Sequence, residues 1–249
     1  MTHLAAAGRI TVLLVATAFV TGSPTPQRAR PAPIAPEARA APVVPFHRAP
    51  PRLRATTTTP ALAVPAALTK GLDLRAAPIA VPLTLSIPSI GVNAAVIGVG
   101  ITRTNVMDAP EGSADDPVWQ QAFWYRGSAV PGAPSTALIA GHIDDPLGRP
   151  GTFANIARLR VGDRIVVHDN RSGLDVRFAV VGSASYPLDQ TTDPTVLKRI
   201  YGTGPVRGHW PERSRDGRGH LTLVTCAGIF QPAIGTHDRR LAVYATRIA

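Results

Sequence analysis

The chain has 249 residues, with 26 Lys+Arg against 16 Asp+Glu, a single Cys, 25 Pro and 5% aromatics. One thiol cannot pair within the chain, which excludes a disulfide framework, and it leaves too few ligands for a cysteine-built zinc site. A hydrophobic content of 45% is too high for a wholly disordered protein, so one or two folded domains are expected.

Residues 10–22 form an uncharged apolar run behind Arg9. Its length suits the apolar region of a signal peptide better than the roughly 20 residues that span a bilayer. Counted from Leu4 the run grows but takes in Arg9, so residues 1–22 read as a signal peptide or an uncleaved signal anchor. Residues 23–77 hold 11 Pro, with Ala, Arg and the run Thr56–Thr59, and show no sustained period; they read as an extended, disordered linker. Residues 1–77 carry nine basic and two acidic side chains, so +7 of the net +10 lies there and +3 in the remainder. A basic tail is drawn to an anionic membrane surface as readily as to nucleic acid, and few aromatic platforms are present for bases to stack on, so no nucleic-acid partner is expected.

From Pro78 the texture changes. Residues 81–90 alternate apolar with small polar side chains, as a half-buried strand does, and Pro82 and Pro88 confine that strand to edges or bends. Residues 92–99, 137–140, 164–168, 176–181, 221–225 and 241–246 are similarly short and rich in Val, Ile, Leu and Thr, with Gly, Pro, Asn and Asp between them. Such a series predicts a mostly β domain over 78–249, a closed antiparallel barrel of seven or eight strands. Residues 152–159 and 194–200 each supply a turn or two of helix.

The lone Cys226 ends the run Leu221–Thr225 and is followed by Ala227 and Gly228. It is either a buried, inert side chain or a thiol kept for reaction, and a reactive thiol needs a base or a cation beside it. Among the seven histidines, His3 and His47 lie in the export and linker segments, and His168, His209, His220 and His237 sit in polar, turn-like surroundings and read as solvated. His142 differs, because the apolar run Ala137–Gly141 delivers it to a loop mouth. Asp144 and Asp145 beyond it read as solvated acids, and no metal or cofactor constellation is visible. Arg239 and Arg240 precede the last strand, and a guanidinium there can donate hydrogen bonds to a developing oxyanion. Strand alternation groups Arg240 with Ala242 and Tyr244, and Arg239 with Leu241 and Val243.

Thr222-Leu223-Val224-Thr225-Cys226 matches the fixed positions of the Thr-Leu-x-Thr-Cys signature, and with Ala140-Gly141-His142 and a downstream Arg the chain resembles a sortase. Phe123–Gly127, Pro131-Gly132 and Leu138–Asp144 are similar to segments of the actinobacterial class F group. The resemblance covers about residues 79–248 and implies an eight-stranded β-barrel with transpeptidase activity and no cofactor. It implies Cys226 as nucleophile, His142 as proton donor and acceptor, and an Arg as stabiliser: Arg240 by strand parity, Arg239 by matching from His237. The resemblance further implies Thr225 and Tyr244 as substrate-binding positions and places substrate selection in the connection between Val181 and Leu221.

The implied substrate is a surface protein with a Leu-Pro-x-Thr-Gly-like sorting signal, cleaved between Thr and Gly through a Cys thioester. The implied acceptor is an amine of peptidoglycan or its precursor. The expected location is the outer face of the membrane or the cell wall, or secreted if the N-terminal segment is cleaved. Two rival readings share these residues: a cysteine peptidase that hydrolyses, and a non-enzymatic, tethered wall-binding β-domain with Cys226 in its core.

Overall fold

The computed structural model describes residues 73–103, 106–202 and 212–249. Residues 1–22, expected to be a signal peptide or anchor, nearly all of residues 23–77, expected to be a linker, His209 and part of the connection between Val181 and Leu221 lie outside the described residues. The eight strands are β1 (Ile79–Ile87), β2 (Val92–Val99), β3 (Ala122–Tyr125), β4 (Thr136–Gly141), β5 (Arg164–Asp169), β6 (Asp175–Pro187), β7 (His220–Gln231) and β8 (Thr236–Arg247). They close into a barrel in the order β1-β2-β3-β4-β7-β8-β6-β5, as the spacing of short strands predicts.

Strand direction departs from the antiparallel expectation at two seams, where β2 pairs with β3 and β4 pairs with β7 in parallel. The physical reason is connection length: β3 follows a long loop and β7 arrives after β5, β6 and a helix, and such crossovers are what parallel neighbours require. That helix, α1 (Pro194–Tyr201), starts where the Asp193 carboxylate accepts the N–H groups of Thr195 and Val196. The other expected helix shrinks to a 3-10 turn at Ile156–Arg158.

Alternation sends Leu83, Leu85, Val167, Phe178, Leu223 and Val243 into a continuous interior core. β3 carries no alternation and is missing from the predicted strands because all four of its residues are buried. Ala122 and Trp124 fill the barrel, Phe123 packs outward against Val118 and Trp119 of the 3-10 turn Pro117–Gln120, and Tyr125 packs outward in the cluster that includes Ile200 of α1. Pro82 does not mark an edge, since β1 pairs with both β2 and β5; it sits at a register shift between Ala80 and Leu83, where its missing N–H falls in a bulge. β7 and β8 run past the alternating segments into a hairpin whose Ile229, Phe230 and Ile234 are exposed.

Candidate active site

The parallel seam sets Ala140 of β4 opposite Val224 of β7, so both strands leave the barrel at one end, with Gly141-His142 on one and Thr225-Cys226 on the other. The Thr225 hydroxyl, buried at 3% exposure, donates to the Gly141 carbonyl at 2.8 Å and ties the two strand ends together. By alternation the residues that follow Leu138 and Ala140 on the outer face of β4 are His142, and after Val224 on β7, Cys226. β8 runs antiparallel to β7 with Arg240 directly opposite Cys226, so the guanidinium and the thiol share that face. Arg239 lies opposite Ala227, and its guanidinium turns to β6, where Nε donates to Ser185 Oγ at 2.8 Å and Nη2 to the Ser185 carbonyl at 3.2 Å.

Cys226 is a half-buried free thiol whose Sγ lies 4.0 Å from the Thr236 hydroxyl. Arg240 Nη2 donates to that same hydroxyl at 3.0 Å, while Nη1 donates to the carbonyls of His237 at 3.0 Å and Arg239 at 2.9 Å. The His142 ring packs 4.5 Å from the Trp119 ring and 5.1 Å from Phe123, nearly edge-on to the latter. Its Nε2 lies 2.8 Å from the Pro110 carbonyl. A carbonyl can only accept, so Nε2 donates its proton there and this bond leaves Nδ1 unused. Trp119 is itself held by its indole N–H, which donates to the Ser113 carbonyl at 2.8 Å.

The loop after His142 is more ordered than its acidic sequence suggests. Asp145 is not a solvated acid: it is buried, accepts the N–H groups of Leu147 and Arg149, and pairs with the Arg149 guanidinium, which also reaches Asp115 at 3.1 Å. Burial alone would raise the Asp145 pKa, but the hydrogen bonds from Arg149 and from the backbone outweigh it and hold the carboxyl below its ordinary value. His237 likewise departs from the solvated reading. Only 8% exposed, it sits edge-on to Phe230 with Nε2 3.5 Å from Asp144 Oδ2, because the hairpin folds its first β8 residues against the loop after His142. His168 pairs with Asp175, and His220 with Asp216.

Tyr244 faces outward two residues after Ala242, and its hydroxyl hydrogen-bonds that of Tyr186 at 2.8 Å. Burial, with the bond to Tyr186, pushes the Tyr244 phenol far above its usual range, and burial lifts Tyr201 of α1 to about 12. Both phenols are therefore neutral in the surface between α1 and the sheet. Trp119, Pro110 and Thr236 join the site without a signal in the sequence: Pro110 meets His142 across 32 positions.

The sortase domain family matches residues 85–248. Among solved structures the chain is similar to sortase C-1 from Actinomyces oris, at 20% identity over 67% of this chain and 73% of that one, with a TM-score of 0.44. It is also similar to sortase A from Corynebacterium diphtheriae, at 18% identity over 70% and 63% with a TM-score of 0.44, and to sortase C1 from Streptococcus agalactiae, at 20% over 67% and 66% with a TM-score of 0.42. No curated protein matches. No helix among the described residues is long and apolar enough to cross a membrane. On the family match, which spans more than half of its length, this chain belongs to the sortase domain family.

Proposed function

We propose that the protein is a cysteine transpeptidase of the cell surface that cleaves a Leu-Pro-x-Thr-Gly-like sorting signal and passes the acyl part to an amine. The observation that carries the reading is the placement of Cys226 opposite Arg240, at the end of the seam that delivers His142. The Cys226 thiolate attacks the threonine carbonyl carbon, and the oxyanion that forms is stabilised by the remaining N–H groups of Arg240. As the C–N bond breaks, His142 Nδ1–H gives its proton to the departing glycine amine, leaving a thioester on Cys226. The incoming amine returns a proton to Nδ1, attacks the thioester and releases the thiolate. One imidazole thus works as acid and then as base, which requires a fixed ring, and Trp119, Phe123 and Pro110 fix it.

The register opposite Cys226 supports Arg240 over Arg239 in this role. The segments Phe123–Gly127 and Leu138–Asp144 support a place in class F. Residues 1–22 would anchor or export the chain and residues 23–77 would tether it, with surface proteins as acyl donors and a peptidoglycan amine as acceptor. The test incubates the purified full-length chain with a fluorogenic sorting-signal peptide, with and without a glycine amine, and follows products by mass spectrometry. We expect an acyl adduct on Cys226, an amine-dependent product, and neither in Cys226→Ala. Arg240→Ala should lower kcat/KM by about 100- to 1000-fold, and Arg239→Ala by less than about 10-fold. Cleavage without amine incorporation replaces the reading with a hydrolytic peptidase, and a folded chain whose Cys226 forms no adduct replaces it with a wall-binding domain.

A further inference from the structure

We infer that Thr236 is a further catalytic residue, whose hydroxyl is held by Arg240 and donates to the Cys226 sulfur in its thiolate form. The inference rests on Cys226 being the nucleophile. Thr236 is the first residue of β8, four positions before Arg240, and register pairs it with Gln231 rather than with Cys226. The bulge between Ala227 and Phe230 bends the hairpin and brings its hydroxyl back to 4.0 Å from Sγ.

Donor counting assigns the direction. A threonine hydroxyl has one O–H and two lone pairs, whereas a guanidinium only donates. The 3.0 Å contact from Arg240 Nη2 therefore occupies a lone pair of Oγ1 and leaves the hydroxyl hydrogen unspent. The sulfur is the acceptor within its reach. At 4.0 Å the contact is a long one for a neutral thiol, and an ionised sulfur is the partner that draws it in, since charge-assisted hydrogen bonds are shorter and stronger. Arg240 Nη1 is occupied by two backbone carbonyls, and through Nη2 the guanidinium bears on the sulfur by way of the Thr236 hydroxyl, with its remaining N–H groups left for the oxyanion. Polarised by the guanidinium, the hydroxyl is a better donor than an ordinary threonine. When the sulfur is acylated this acceptor is lost, so the hydroxyl favours the thiolate states that begin and end the cycle.

The experiment measures alkylation of Cys226, the single thiol in the sequence, by iodoacetamide across a pH series in the full-length protein and in Thr236→Val, Thr236→Ala and Thr236→Ser. Removing the hydroxyl should slow alkylation about 3- to 10-fold at neutral pH, leave the alkaline plateau unchanged and move the midpoint of the profile upward, because a hydrogen bond to the charged form favours that form. Thr236→Ser should follow the wild type. Two hydroxyl-free variants keep the comparison open if one fails to fold. Profiles of Thr236→Val and Thr236→Ala that superimpose on the wild type overturn the inference, as does a Thr236→Ser profile displaced as far as theirs. Peptide transfer is measured in the same samples. Transfer by the wild type beside unmoved alkylation profiles overturns the role of Thr236 alone, while displaced profiles without any transfer support the thiolate contact and overturn the transpeptidase reading.

Discussion

Thr225→Val keeps the branched shape of the side chain and removes the hydroxyl that donates to the Gly141 carbonyl at 2.8 Å. At 3% exposure no water reaches the gap from solvent, so the loss lies between the net value of one hydrogen bond and the cost of stranding a buried acceptor, about 1–3 kcal/mol. Thr225→Ser separates the two contributions: it keeps the bond and gives up one buried methyl, about 0.8 kcal/mol. The lost bond spans the seam that aligns Cys226 with His142, so catalysis should suffer through geometry rather than through substrate affinity. Urea unfolding of the full chain gives the stability, and peptide transfer gives kcat and KM. We expect Thr225→Val to be the less stable of the two variants, with kcat reduced about 10-fold or more and KM little changed. Stability within about 0.5 kcal/mol of wild type refutes the seam argument, and a rise in KM with kcat intact places the hydroxyl on the substrate instead.

Gly228 has φ +82°, and an added Cβ would lie 2.0 Å from Asp238 Oδ1 and 2.9 Å from Arg239 Cγ. Gly228→Ala should destabilise the hairpin by about 2–4 kcal/mol, combining the left-handed strain with loss of the Ile229 N–H bond to Asp238, and a cost under about 1 kcal/mol in urea unfolding contradicts this. Trp119→Ala removes the ring on which His142 packs; about 3–5 kcal/mol of stability and most of kcat should go, and a variant with unchanged kcat contradicts the packing role. Asp145 has its folded-state pKa depressed, so its contribution is present above the ordinary carboxylate range and disappears as pH falls through the folded value. Asp145→Asn should accordingly show a shallower loss of Tm on acidification, and an unchanged acid limb in a Tm-against-pH series argues against the clasp.

The strand within residues 81–90 is legible from its alternation because Val81, Leu83, Leu85 and Ile87 meet the core while Pro82, Thr84 and Ser86 between them do not. β3 is not, since Phe123 and Tyr125 are buried outward as thoroughly as Trp124 is inward, and burial on both faces erases the period. Parallel pairing of β4 with β7 depends on what the intervening chain does, which no local pattern records. Cys226, His142 and the parity of Arg240 are readable because a strand end, a glycine and a period of two are all local features. Pro110 and Trp119 are set by contacts between distant segments, Thr236 by the irregular register of the hairpin, and the burial of His237 by which loop the hairpin folds against. A polar neighbourhood in sequence therefore gave no warning of a nearly dry imidazole.

The Thr225–Gly141 bond joins residues 84 positions apart, and β8, the last strand of the chain, closes the circle by inserting between β7 and β6. The loop-closure entropy of so distant a pairing is met late, and barrels dominated by such pairings fold on the order of milliseconds to seconds. The β7–β8 hairpin sets Arg240 opposite Cys226 locally, whereas the seam that brings the end of β4, and with it His142, beside them waits for the distant pairing. Chemical competence is therefore the final product of folding and not a property that accumulates on the way, so recovery of activity on refolding should report barrel closure. A nascent chain that has yet to complete its barrel carries the thiol and the guanidinium of one hairpin without the imidazole at the end of β4.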